Sequence, residues 1–214
     1  MDASPITPSP LPPAAEILAE QTVHHGRFPK QVLRFRFRRF DGTMSRPLSW
    51  EVWRRGQAAA LLPYDPETDR VVLIEQFRLP ALLAGLAPRL LEVPAGLLDE
   101  DDPERCARRE TTEEAGLSVG RTKKLGLYLL TPGGSDERIH LFAGEVAAPP
   151  TGADGIGGRF GLAEEGEDIR VRVFDANDAI EAAFDGRVSN ATTAIALAWL
   201  GLNRDRLRRE WSRP

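Results

Sequence analysis

A single cysteine, Cys106, in 214 residues excludes an internal disulfide and a multi-cysteine zinc site. No apolar stretch approaches the ~20 residues that a membrane-spanning helix requires. The opening Met1-Asp2-Ala3-Ser4-Pro5 has neither the basic region nor the apolar core of a secretory signal. Lysine is confined to Lys30, Lys123 and Lys124, and every other basic side chain is arginine. Histidine occurs only as His24, His25 and His140, without metal-ligand spacing to acidic partners. A net charge of −4 argues against a general nucleic-acid or anionic-membrane binder. These shortages describe a soluble, cytoplasmic protein with no nucleic-acid and no membrane partner. The rest is ordinary for a globular chain, 42% hydrophobic and 28% charged, which excludes wholesale disorder. A chain of this length buries roughly 70% of its unfolded surface and needs no covalent staple.

Proline at positions 5, 8, 10, 12 and 13 blocks both helix and ladder bonding, so residues 1–15 read as a disordered tail. A β segment follows over 16–55. Within it, Leu33-Arg34-Phe35-Arg36-Phe37-Arg38 alternates apolar and basic residues, the period-2 pattern of a half-buried strand. The same interleaving could stack on nucleic acid, but in an acidic chain the strand is the better reading. Asp41-Gly42 marks a turn and residues 48–53 resume strand composition, so an antiparallel hairpin is expected over 24–54.

The main domain, 56–205, opens with strands over 57–64 and 70–77 joined by a turn at Asp65-Pro66. A looser stretch from Pro80 to Pro88 precedes a short strand at 90–93. Asp102-Pro103-Glu104 announces a helix over 103–115, with an aspartate cap, proline in the first turn and Gly116 as its stop. Strands over 122–130 and 138–146 flank Thr131-Pro132-Gly133-Gly134-Ser135. The glycine-rich run 147–167 reads as a loop, long enough to suggest function. A strand at 169–174 and helices at 177–185 and 190–203 follow, the last capped by Ser189. Residues 206–214 read as a C-terminal tail.

Within the 103–115 helix, Glu110 and Glu114 lie one turn apart on one face, with Glu113 beside them. Cys106 and Ala107 share that small, apolar face, while Arg105, Arg108 and Arg109 point largely the other way. Like charges so placed repel, and more so when partly buried, so something positive should compensate. An arginine-paired or solvated charge cluster is one answer. A hard divalent cation is the other, because Mg²⁺ prefers carboxylate and phosphate oxygens. The flank Glu92-Val93-Pro94-Ala95-Gly96 favours the cation: it ends a strand and opens a loop directly before the helix. Backbone carbonyl and carboxylates are thereby gathered in one place. The later acidic run Glu164-Glu165-Gly166-Glu167-Asp168 is either a solvated loop or a loop that closes over a substrate.

Gly96, followed by Arg109-Glu110-x-x-Glu113-Glu114-x-Gly116-Leu117, resembles the Nudix hydrolases, whose box reads G-x5-E-x7-R-E-U-x-E-E-x-G-U with U aliphatic. Three positions depart from it. Arg109 comes one residue early relative to Gly96, Asp101 or Asp102 stands at the middle glutamate, and Thr111 replaces the aliphatic residue. Beyond the box, over about residues 24–205, Arg55-Gly56-x-Ala58-Ala59, residues 72–78, Thr131-Pro132-Gly133-Gly134 and residues 164–169 are similar to the ADP-ribose pyrophosphatase branch. The shortened box is more similar to a sister branch that hydrolyses GDP-mannose.

The resemblance implies an α/β (α+β) Nudix fold, a mixed β-sheet sandwiched between helices, with the N-terminal antiparallel β segment used in dimerisation and in each substrate pocket. It implies a homodimer that hydrolyses ADP-ribose to AMP and ribose 5-phosphate, with GDP-mannose as the alternative substrate. A non-catalytic Nudix-fold nucleotide sensor is the alternative of another class, although such sensors commonly lose box carboxylates that are present here. Two or three Mg²⁺ ions, or Mn²⁺ in their place, are implied on Glu110, Glu113, Glu114, Glu167 and the Ala95 carbonyl. Glu165 matches the general base, with Glu113 and Glu114 completing the catalytic set. Arg78 matches a phosphate-binding arginine and otherwise reads as a surface arginine; Glu137 matches a residue near the terminal ribose and reactive phosphates. Trp50 reads as a base-stacking ring or as a core or dimer-interface tryptophan, and Arg27 and Phe28 are further substrate-side candidates. Arg109 is expected to brace the loop from the far side of the helix.

Overall fold

The computed structural model describes residues 14–98, 102–162 and 166–211. The proline-rich residues 1–13, Asp101, Glu164, Glu165 and the last three residues lie outside that description. The chain divides into two units: the described residues up to Arg55 with Thr131–Asp136, and Gly56–Leu130 with the described residues from Glu137 onward.

The first unit is a three-stranded antiparallel sheet of β1 (Ala15–His24), β2 (Lys30–Phe37) and β3 (Leu48–Trp53), with β2 in the middle. The expected hairpin is β2–β3, and β1 is an addition to it. Its composition shows no alternation, and its pairing with β2 shifts register twice, so backbone bonding rather than a buried face defines it. Ser45 is the only buried residue among 14–55. Ile17, Val23, Trp50 and Trp53 are all exposed, so this sheet has no core of its own.

The second unit holds β4 (Gln57–Asp65), β5 (Arg70–Phe77), α1 (Leu79–Leu83), β6 (Arg89–Glu92), β7 (Ala95–Leu97), α2 (Pro103–Ala115), β8 (Thr122–Leu129), β9 (Arg138–Glu145), β10 (Ile156–Phe160), β11 (Ile169–Asp175), α3 (Ala176–Ala182) and α4 (Ala191–Trp211). Its sheet runs β10-β11-β5-β4-β9-β8, with β6 beside β5 and β7 beside β4. Pairing is antiparallel except between β4 and β9, so the sheet is mixed.

Period-2 alternation decides which helix each strand residue meets. Ala58, Ala60, Leu62 and Tyr64 of β4 face α3 and α4, together with Val71, Leu73 and Leu141. Ala59 and Leu61 face α2, against Cys106 and Ala107, and Val72 and Ile74 lie on that side as well. The sheet is thus a middle layer with α2 on one face and α3–α4 on the other, as expected.

Besides β7, a short strand where a loop was expected, three elements of this unit differ from the sequence reading. The loop 147–167 contains β10, a glycine-rich edge strand. The loose stretch after Phe77 contains the short helix α1. The third, α4, runs eight residues past the expected 203 and takes in most of the expected tail. Leu207 and Trp211 continue its buried stripe, while Arg204, just before them, turns its head to Asp69 and Asn177. The helix cap is Asn190 rather than Ser189, because the Asn190 Oδ1 accepts from the Thr193 amide at 3.0 Å.

Leu200 is fully buried between α4 and the sheet. Leu200→Ala should cost about 2–5 kcal/mol of unfolding free energy, read from the urea midpoint with an unchanged slope. A loss under 0.5 kcal/mol would mean that α4 is not packed as described.

Candidate active site

The inward face of α2 sets the site. Its N-terminus is capped by the Asp102 carboxylate, which accepts from the amides of Glu104 and Arg105, and Gly116 closes it at φ 66°, a left-handed conformation that suits glycine. Glu114 is buried, and the Glu110 side chain is 14% exposed. The β7 backbone crosses this face. The Ala95 amide donates to Glu114 Oε2 at 2.9 Å, and a Cβ built at Gly96 would run into the Glu110 carboxylate. Glycine lets strand and carboxylate pass at that distance.

A second buried acid, Glu92, ends β6. It accepts from Gln76 Nε2 at 3.1 Å, from Arg78 Nη2 at 2.7 Å and Nε at 3.1 Å, and from Asn190 Nδ2 at 3.1 Å. Arg78 is therefore oriented by a fixed carboxylate while its side chain stays 44% exposed. Burial works against its charge, yet the bond to Glu92, with Glu114 and Glu167 nearby, more than offsets this and raises its pKa above the arginine norm. On the far side, the Leu162 amide donates to Glu167 Oε2 at 3.0 Å and the Glu167 amide to the Leu162 carbonyl at 3.2 Å. These two bonds flank Glu164 and Glu165, which lie outside the described residues.

Electrostatically the cluster is short of positive charge. Burial pushes the Glu114 carboxyl up to about 8, with Glu110 and Glu167 adding to the rise against the Ala95 amide and Arg78. Burial likewise raises Glu110, against the pull of Arg109. Arg109 does not point away as expected. Its long side chain folds back, placing Nη2 2.8 Å from Glu110 Oε1 and Nη1 2.9 Å from Glu113 Oε2. Among the described residues no three histidine, cysteine or acidic side chains already converge closely enough to cage an ion. The arginine-paired reading therefore describes Glu110 and Glu113, while Glu114 has a backbone amide as its hydrogen-bond donor.

The structure thus brings together Arg78, Glu110, Glu113, Glu114, Glu167 and Ala95. Glu137 immediately precedes β9, its carbonyl accepting from the Leu130 amide at 3.4 Å. Arg27, Phe28 and Trp50 belong to the first unit. There the Arg55 guanidinium lies 4.2 Å from the Phe28 ring centre and 4.9 Å from that of Trp53, and Arg27 lies 5.6 Å from Phe28. Trp50 packs edge-on against Phe35 at 5.1 Å and is 54% exposed. Sequence reasoning missed Glu92 and Asn190. The signal for Glu92 was an acid inside the apolar run Leu90-Leu91-Glu92-Val93; Asn190 had only its place before a helix.

A family model for the NUDIX domain matches residues 54–193. An ADP-ribose pyrophosphatase of Escherichia coli is 46% identical over 198 residues, covering 92% of each chain. One from Haemophilus influenzae is 40% identical over 202 residues, covering 92% of this chain and 91% of its own. A GDP-mannose pyrophosphatase of Yersinia pestis is 39% identical over 150 residues, 70% of this chain and 73% of its own. Among solved structures, one described as an ADP compounds hydrolase matches with a TM-score of 0.65 at 19% identity, over 92% of this chain and 96% of that one. At that identity the last likeness speaks for the fold alone.

The Glu114 environment predicts a pH effect on stability. Its carboxyl titrates near 8 in the folded chain and near the ordinary 4.5 when unfolded. The folded state therefore holds the proton more tightly, and this contribution, complete below the unfolded value, is lost as pH rises through the folded one. In cation-free buffer, Glu114→Gln should gain on the parent by a few kcal/mol between pH 5 and 8, at about 1.4 kcal/mol per unit within that window. Parallel urea curves at the two pH values check this, and an equal difference at both would remove the buried-acid account.

Proposed function

The chain belongs to the Nudix family, and from that membership we propose that it hydrolyses the pyrophosphate bond of ADP-ribose, releasing AMP and ribose 5-phosphate. The observation that carries this reading is the extent of the match to ADP-ribose pyrophosphatases. At 92% of both chains it leaves too few residues for the N-terminal sheet to fall outside it. The GDP-mannose pyrophosphatase match covers 70% of this chain. GDP-mannose is the second reading, favoured by the box that is one residue short between Gly96 and Arg109.

The donor set fits a hard divalent cation. It is all oxygen, and among the described residues Arg78 and Arg109 are the cations set against Glu92, Glu110, Glu113 and Glu114. Glu110, Glu113, Glu114, Glu167 and the Ala95 carbonyl would hold two or three Mg²⁺ ions, with Mn²⁺ as substitute. Ions there would neutralise the pyrophosphate and lower the pKa of a water molecule. Arg78, aimed by Glu92, binds a phosphate oxygen through its remaining guanidinium edge. Glu165, on the loop closed by Leu162 and Glu167, takes the proton from the attacking water as general base. Glu137 faces the ribose side of the substrate. Arg27, Phe28 and Trp50 serve the base, for which stacked rings and guanidinium groups are suited. Hydrolysis of a free nucleotide sugar accords with a cytoplasmic location.

A homodimer completes the reading. A three-stranded sheet without a core, carrying exposed Ile17, Val23, Trp50 and Trp53, needs a surface to cover it. Light scattering at micromolar concentration should give twice 23.6 kDa, and an active species at that single mass would refute the dimer.

A hydrolysis panel of ADP-ribose, GDP-mannose, ADP-glucose, NADH and an oxidised nucleoside triphosphate, with Mg²⁺, tests the substrate. ADP-ribose should be turned over best; equal or better turnover of GDP-mannose favours the second reading, and no turnover of any favours a nucleotide sensor. Glu114→Gln should lower kcat by at least ~10²-fold while keeping the fold. Near-parent turnover at saturating Mg²⁺ would remove Glu114 from the essential set.

A further inference from the structure

The cap of α4 is also part of the site. Asn190 Oδ1 accepts from the Thr193 amide at 3.0 Å and from the Thr193 hydroxyl at 3.1 Å. Both contacts are donors, so this atom is the amide oxygen, and the nitrogen faces Glu92. Nδ2 then donates to Glu92 Oε1 at 3.1 Å. The Thr193 hydroxyl, having donated to Asn190, accepts from the Val93 amide at 2.9 Å. One asparagine thus caps the start of a helix and grips the strand end that leads through Pro94 to Ala95.

Glu92 is buried and receives bonds from Gln76, Arg78 and Asn190. Each donor fixes part of a carboxylate that could otherwise rotate. The Gln76 amide holds one oxygen, which Arg78 also uses; Asn190 is the neutral donor on the other. Take Asn190 away and Oε1 keeps only the longer contact from Arg78 Nε, at 3.2 Å. The carboxylate is then held mainly through Oε2 and can pivot about it, and the guanidinium that follows it is aimed less tightly.

We propose that Asn190 is a positioning residue for pyrophosphate hydrolysis, setting the phosphate-facing direction of Arg78 through Glu92. The inference rests on the reading of this site as a pyrophosphate hydrolase and adds to it a helix cap, remote in sequence, that tunes substrate affinity. Asn190 touches no substrate atom. Its action is on KM, because Arg78 binds the same phosphate in ground and transition states.

The cap and the grip can be separated. In the full chain, Asn190→Ser keeps an oxygen for the Thr193 amide but has no donor that reaches Glu92. Asn190→Asp caps equally well and sets a second carboxylate against Glu92. Loss of one bond to a charged group corresponds to about a 10-fold change. The KM for ADP-ribose should therefore rise about 10-fold in Asn190→Ser and further in Asn190→Asp, with kcat within a few-fold and the thermal midpoint of Asn190→Ser near the parent. A purely structural role would instead lower the active fraction, and so kcat, at unchanged KM. In an Arg78→Met background the serine change should add nothing, since the group it aims is gone. Unchanged KM in both Asn190 variants, or effects that multiply with Arg78→Met, would overturn the proposal while a parent active on ADP-ribose leaves the hydrolase reading standing. A parent inactive on every nucleotide sugar would end both. Should Asn190→Ser fail to fold, Asn190→Asp carries the test.

Discussion

The bond from the Ala95 amide to the buried Glu114 carboxylate joins the β7 backbone to α2, and the site takes its shape from that seam. An acid enclosed this far is expensive unless it is bonded and balanced. The seam supplies one bond. It also brings Gly96 so near to Glu110 that any side chain would collide with the carboxylate. Strand, turn and helix are thus held together by the same acids that leave the region short of positive charge. Stability of the cation-free chain and capacity for a cation oppose one another here, as is usual where a protein keeps like charges together for use.

Two arginines answer that imbalance in different ways. Arg109 lies on α2 itself and pairs with Glu110 and Glu113 of the same helix through its side chain alone. Arg78 is tied at two nitrogens to a carboxylate that is itself anchored from another element. The first is a replaceable counter-charge and the second a fixed fixture. An arginine already oriented before ligand arrives loses less conformational entropy on binding than a free one.

Much of this was visible in the chain. The apolar runs through 57–64 and 70–77 with the turn between them, and the Asp102-Pro103 start and Gly116 stop of α2, specify local structure from local chemistry, and the described elements match them closely. What escaped was decided by contacts distant in sequence. β1 exists because β2 offers it a backbone edge. Glycines made β10 look like loop, yet an edge strand needs only the ladder of β11. The end of α4 looked polar because Arg204 lies within it, and only the folded chain reveals its partner Asp69. Arg109 was assigned by its Cα direction, which a side chain of that length can reverse. Glu92 could have been suspected as an acid among apolar neighbours, but its partner Asn190 could not.

The links at Val93–Thr193 and Glu92–Asn190 span 100 and 98 residues, and this separation gives the site a place in time. α2 with its Asp102 cap can form as soon as it is made, since its helical bonds are local. The parallel pairing of β4 with β9 joins residues about eighty apart in the chain, and contacts so far apart close slowly against loop entropy. The strand end at Glu92 and Val93 is secured later still, when the start of α4 docks. During synthesis the acidic helix therefore precedes by a long interval the clamp that aims Arg78. A nascent chain carries the charged half of its machinery before the half that orders it, and competence arrives as one of the last events of folding.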